Sequence, residues 1–363
     1  MENQNNKVVF IHGRPSPHPL HIKYGESIGA KFVFVDFILR WHDKDSSRFK
    51  RYLSWLICAL FLPDRKKYDV IFSEGAHFIV GLQKWLRLLK SNQKTIALLN
   101  NETLYFIQSG FYSRKTKKAL IGLIQTYDGI ISAGKMEADL ARKYASSKAV
   151  VKQIFNGIND DRLKNLLTLN PKLTSHNIVF IGNVGSGWRS WYKGIDLLFE
   201  SFELAWLKNN LLKLQLIGEW DKVYFNELVN KHAPKSKLSI ECIGYTQKLD
   251  DYLINTSLYL HPARGEAWGI SVTEAMAAGI MPLVSKYTGS QEVVAKVDPS
   301  YIIELDKFLI AKKIIEHFEL SSEIKKFQSS KCKIVSEGYS ESKSLDSFNK
   351  AFQEILIEVN LIK

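Results

Sequence analysis

The chain has 363 residues, 45% of them hydrophobic, which is more apolar material than one domain core usually holds and enough for two. Its three cysteines, Cys58, Cys242 and Cys332, lie far apart, which excludes a disulfide framework and a cysteine zinc site. The net charge is +13, and +12 of it falls in the first 160 residues, so the amino-terminal half favours anionic surroundings.

In chain order, the opening MENQNN lacks the basic-then-apolar run of a secretory signal, which points to the cytoplasm. Val8 to Ile11 reads as a buried strand ending at the turn His12-Gly13-Arg14-Pro15. Similar runs follow at Lys31 to Phe37, Tyr68 to Phe72, Thr95 to Leu99 and Gly129 to Ser132, with helix-length segments between them. The apolar run Tyr52 to Pro63 is well short of the roughly 20 residues that cross a bilayer. Its flanks, Arg48, Lys50, Arg51 and Arg65 to Lys67, suit an interfacial segment, so an anionic membrane surface is expected as a partner, on the inner face. Nucleic acid is not expected, since zinc-finger spacing, a heptad-linked basic region and an aromatic RNA-binding signature are all missing.

A second series of strands is predicted at Asn177 to Ile181, Lys213 to Ile217, Leu238 to Ile243, Ser257 to Leu260 and Met281 to Val284. Two parallel sheets, each covered by helices on both faces, make the fold class α/β with two Rossmann-like domains. The stretch Asn156 to Ser175 fits a helix plus linker, which places the boundary near Leu173: residues 1–172 form one domain, 173–340 a second. In the terminal segment 341–363, apolar residues at 345, 348, 352, 355, 356 and 359 have helical spacing and must bury that stripe.

The most informative stretch is His261 to Val294, HPARGEAWGISVTEAMAAGIMPLVSKYTGSQEVV. A strand ends, a loop with two glycines follows, and a helix begins near Ser271. Backbone N–H groups around Gly269, Ile270 and Ser271 make a site for a diphosphate. Glu266 in the loop and Glu274 on the first helical turn flank it, suited to accept hydrogen bonds from sugar hydroxyls. The glycines Gly182, Gly185 and Gly187 do not form the dinucleotide fingerprint, which disfavours NAD.

Pro262, Glu266, Gly269, Glu274, Ala275, Ala277, Gly279 and Pro282, with Gly289 and Glu292 downstream, closely resemble the signature of the family-4 retaining glycosyltransferases of the GT-B fold. Lys193-Gly194, at the mouth of an apolar helix, is a second match. The resemblance implies two domains facing across a cleft, with the terminal helix packing back on the amino-terminal one. It implies a hexosyltransferase that moves a sugar from a nucleotide-diphosphate sugar to a lipid-linked or glycan acceptor. Glu266 would contact the donor sugar near the reacting centre, Glu274 the ribose, and Lys193 the leaving diphosphate, with Arg189 in place of the usual arginine. Gly13 would approach the donor phosphate. On the acceptor side, where many members carry a histidine, this chain has Asn100-Asn101-Glu102, and His77 is a further candidate. Arg264 stands evenly between a donor contact and a solvated surface side chain.

No metal or other cofactor is expected, since no Asp-x-Asp closes a strand and the spacing of His12, His18, His21 and His77 is not that of a helical zinc pair. Surface or turn positions are expected for most of these histidines. The rival readings are a non-catalytic nucleotide-sugar or polyanion binder, and a nucleotide-sugar epimerase or a phosphorylase on the same fold.

Overall fold

The structure, a computed structural model, describes residues 7–13, 17–35, 65–100, 102–184 and 188–361, with a few positions between 53 and 60. The basic segment 48–67 therefore lies largely outside the described residues, as does Asn101. The chain forms two units: residues 1–156 with 344–363, and residues 157–343. Composition places the boundary near Leu173. The chain changes unit sooner, at Asn156-Gly157, because the helix Asp160–Thr168 packs with the helix Ile270–Ala277 of the second unit.

The first unit holds six strands, β1 (Val8–His12), β2 (Lys31–Phe34), β3 (Val70–Glu74), β4 (Lys94–Leu99), β5 (Gly129–Ala133) and β6 (Val150–Ile154). They pair in parallel in the order β2-β1-β3-β4-β5-β6. β1, β3 and β5 are buried along their whole length, as strands covered on both faces must be, and β1 and β3 open on the apolar runs VVFI and VIF. β6 escapes prediction because its run VVKQI is broken by Lys152 and Gln153. At the sheet edge those two side chains are not buried.

The helix Glu341–Glu358 places Phe348, Phe352, Ile355 and Leu356 against Phe10, Phe72, Ile96 and Ile131, closing the core of the first unit as expected. A Cβ at Gly129 would stand 2.4 Å from Ile355, so glycine there lets the helix settle on the sheet.

The second unit repeats the architecture with β7 (Asn177–Ile181), β8 (Lys213–Ile217), β9 (Ile240–Gly244), β10 (Leu258–His261), β11 (Met281–Ser285) and β12 (Ile302–Ile303). Its parallel order is β12-β11-β10-β7-β8-β9. Leu238, predicted to begin a strand, instead sits in a short 3-10 turn with its side chain in solvent, and the strand starts at Ile240. Among the described residues no helix is long and apolar enough to cross a membrane.

Candidate active site

In the second unit the strand β10 ends at His261, and the loop after it carries Glu266 to the start of the helix Ile270–Ala277. Gly269 caps that helix with φ 82°, a left-handed value that glycine adopts at no steric cost. Ile270 and Ser271 thus head the helix, where backbone N–H groups lack intrahelical acceptors and favour an anion. Ser271 is held from below, its Oγ 2.8 Å from the Tyr259 hydroxyl, which also lies 3.2 Å from His261 Nδ1.

Lys193 reaches Glu266 across more than seventy residues of chain, and its Nζ contacts Oε2 of the carboxylate. The neighbour of the lysine makes this approach possible. Gly194 has φ 71°, and a Cβ there would sit 2.0 Å from the Pro262 carbonyl oxygen. A second close approach fixes the other side of the loop: Gly289 donates its N–H to the Glu266 carbonyl at 2.8 Å, and a Cβ on it would collide with the Ala267 oxygen. Burial alone would raise the Glu266 pKa. The Lys193 charge and the contact with His261, 3.6 Å away, more than offset it and hold the carboxyl well below its usual range. His261 is itself pushed down, by burial and by Lys193, so it stands neutral beside them.

Glu274 lies on the same helix, partly exposed, with Arg162 Nε 3.8 Å from its carboxylate. Arg162 also pairs with Asp250 at 2.5 Å. Burial raises the Glu274 pKa, and Asp250 adds to that while Arg162 opposes it. Sequence reasoning misses Arg162; its place on the first turns of a helix after Asn156-Gly157 is the available signal. Arg189 is exposed on the short helix Trp188–Tyr192 and turns back, its Nε donating to the Asn183 carbonyl at 3.0 Å. Arg264 is a strut: it makes two 2.7 Å bonds to Asp196 and one of 2.6 Å to the Trp191 carbonyl, which strap the loop after β10 to the Lys193 segment.

In the first unit Gly13 packs against Gly75, where a Cβ would lie 2.6 Å from the Gly75 carbonyl carbon. Glu102 caps the helix Thr103–Ser109 without a side-chain cap bond. The structure corrects the expectation of surface histidines. His12, His21 and His77 are buried, and only His18 is exposed. His12 Nε2 is 2.5 Å from Glu74, and the Asn100 side-chain amide is 3.0 Å from His21 Nε2. His77, an acceptor-side candidate, has a fully buried ring held neutral, its pKa pushed down by burial to about 4.

Two parallel six-stranded sheets in separate units, each wrapped by helices, with an anion-ready helix start in the second, define the GT-B fold. Solved structures with this fold overlay nearly the whole chain. A sucrose-phosphate synthase from Thermosynechococcus elongatus matches with a TM-score of 0.72 at 14% identity, covering 97% of this chain and 99% of that one. The Anabaena protein HepE in complex with UDP matches with a TM-score of 0.68 at 12% identity, covering 96% and 100%. Residues 173–333, which hold Lys193, Glu266 and Glu274, match the model of the glycosyl transferases group 1 family. The glycogen synthase of Petrotoga mobilis is 28% identical over 145 residues, 39% of this chain and 29% of that protein. The chain spans less than half the length of the curated relatives it matches.

Proposed function

We propose that the chain is a family-4 retaining glycosyltransferase that takes a sugar from a nucleotide-diphosphate donor and passes it to a lipid-linked or glycan acceptor. The observation that carries this reading is the contact of Lys193 with Glu266 beside the amide-rich start of the helix Ile270–Ala277, inside the segment that matches the group 1 family. HepE, similar in fold, was solved with UDP and with UDP-glucose, which supports a nucleotide sugar as donor.

In this reading the diphosphate rests on the N–H groups of Gly269, Ile270 and Ser271, the ribose hydroxyls on Glu274, and the sugar against Glu266. Lysine has three N–H donors, so Lys193 can hold Glu266 and meet a phosphate oxygen together. As the bond from the anomeric carbon to the phosphate oxygen breaks, charge grows on that oxygen. Fixed amides and the lysine stabilise it more in the transition state than before. The acceptor oxygen attacks from the face the phosphate leaves, and its proton passes to the phosphate, which retains configuration without a protein nucleophile. No divalent cation is needed at the diphosphate. The basic amino-terminal half holds the enzyme on the cytoplasmic face of an anionic membrane. The test is release of nucleotide diphosphate from candidate donors, with and without acceptor and without added Mg²⁺ or Mn²⁺. Turnover that depends on added Mn²⁺, or that ignores every acceptor, defeats the proposal.

A further inference from the structure

The donor-side residues stand where the strands of the second unit end. Where its strands begin, two loops come together at one edge of the sheet: residues 207–212, between the helix Ile195–Trp206 and β8, and residues 233–239, between the helix Lys222–His232 and β9. Both loops are pinned. The Glu203 carboxylate accepts the backbone N–H of Lys235 at 2.6 Å and that of Ser236 at 3.2 Å, and Trp206 Nε1 donates to Ser239 Oγ at 3.0 Å. β8 and β9 pair from Leu214 and Ile240 onwards, so the residues just before them run side by side.

Three leucines stand out of this surface. Leu238 is 96% exposed, Leu211 62% and Leu207 51%. Single exposed leucines are ordinary, but three on two adjoining loops mark a contact surface. Lysines surround them. Residues 203–213 and 231–239 carry five, Lys208, Lys213, Lys231, Lys235 and Lys237, all exposed, against one carboxylate, Glu203, which the loop N–H groups already engage. We propose that these two loops form a membrane-contacting face of the second unit, with the leucines entering the headgroup region of an anionic bilayer and the lysines meeting its phosphates.

The composition of the face selects this occupant. A second copy of the chain would bring the same five lysines against one another across a two-fold axis, where like charges repel. Interfaces with proteins and nucleic acids favour arginine and aromatic side chains. Here the two segments contain no arginine, and their one tryptophan, Trp206, is part-buried with its N–H turned in to Ser239. Apolar entry and attraction to anionic headgroups are each weak alone, and a peripheral contact needs both. Leucine tips with lysine stems beside them supply the pair. The face lies wholly in the second unit and does not rest on the charge of the amino-terminal half.

Co-sedimentation of the full chain with vesicles of phosphatidylcholine, with and without phosphatidylglycerol, tests the face. The unaltered chain should bind the anionic vesicles, and less as salt rises. Leu211→Ser with Leu238→Ser should weaken that binding roughly tenfold or more. Lys235→Gln with Lys237→Gln should weaken it about fivefold for each lysine. All four side chains are exposed, so both variants should keep the thermal midpoint of the unaltered chain. If the unaltered chain binds anionic vesicles and both variants bind them equally well, this face is not the contact, and the amino-terminal half keeps the membrane role proposed for it. No binding by the unaltered chain overturns the face and that role together. Loss of self-association in the leucine variant, read by light scattering with vesicle binding unchanged, names a second copy as the occupant and also overturns the proposal.

Discussion

Lys193 with Glu266 in the second unit, and His12 with Glu74 in the first, are both contacts of a nitrogen base with a carboxylate at the carboxyl ends of parallel strands. They are assembled differently. The second-unit contact depends on backbone approaching backbone, since Gly194 and Gly289 remove the side-chain carbons that would keep the loops apart. The first-unit contact follows from strand register, because two five-residue strands of equal length end side by side, and the close approach of Gly13 and Gly75 just beyond them keeps the ends together. A site made by loop approach leaves its groups partly open to a ligand, whereas one made by register sits inside the sheet's covering.

The comparison can be broken most directly at the lysine. Lys193→Ala should lower turnover about 10²-fold or more, the scale of one lost transition-state donor, in steady-state assays on a variant shown to be folded. Near-normal turnover would mean that the loop contact is only structural. Gly194→Ala tests the approach itself. The substitution meets both the positive φ and the Pro262 carbonyl, so the thermal midpoint should drop by an amount matching roughly 1–3 kcal/mol, with turnover falling alongside. An unchanged midpoint would show that the loops have slack.

If Glu274 holds the ribose as proposed, Glu274→Ala should act on binding more than on rate, raising the donor KM with kcat nearly kept, because such a contact is made equally before and during reaction. Calorimetry with the nucleotide diphosphate checks the same loss. A smaller effect concerns acid. His317, buried among Tyr301 and Ser257 in the second unit, is held neutral by burial, its pKa pushed from the ordinary 6.5 down to about 3. The unfolded chain takes up that proton first, so this contribution to stability is full above about pH 6.5 and is lost as pH falls towards 3. Denaturant melts of the unaltered chain and His317→Gln at pH 7 and pH 5 should show a shallower acid loss in the variant; parallel losses would contradict it.

How much of the molecule is legible in its sequence follows from the same contrast. The donor-side residues lie in one contiguous stretch with dense glycine and proline punctuation, so the loop, the helix start and both glutamates can be placed from residue order alone. Lys193 needs only one more segment. The role of Arg264 as a strut is hidden, since its partner Asp196 is identified only by the folded contact of two loops. The histidine cluster draws on three separated segments, and spacing along one helix gives no sign of it. A usable signal is present in the strands VVFIH and VIFSE, matching apolar runs that each end on a titratable residue.

The return of residues 344–363 to the first unit has a consequence for the order in which the protein can be made. During vectorial synthesis, Phe10, Phe72 and Ile131 emerge from the ribosome long before Phe348 and Phe352, the side chains that cover them. The amino-terminal sheet must wait, one face covered only in part by Leu20 and Tyr24 of the helix Pro19–Ser27, while the whole of the second unit is translated. A nascent chain stalled before residue 344 therefore presents a sticky apolar surface to chaperones. Stop codons falling within positions 344–363 would harm the first unit more than the second, which they follow.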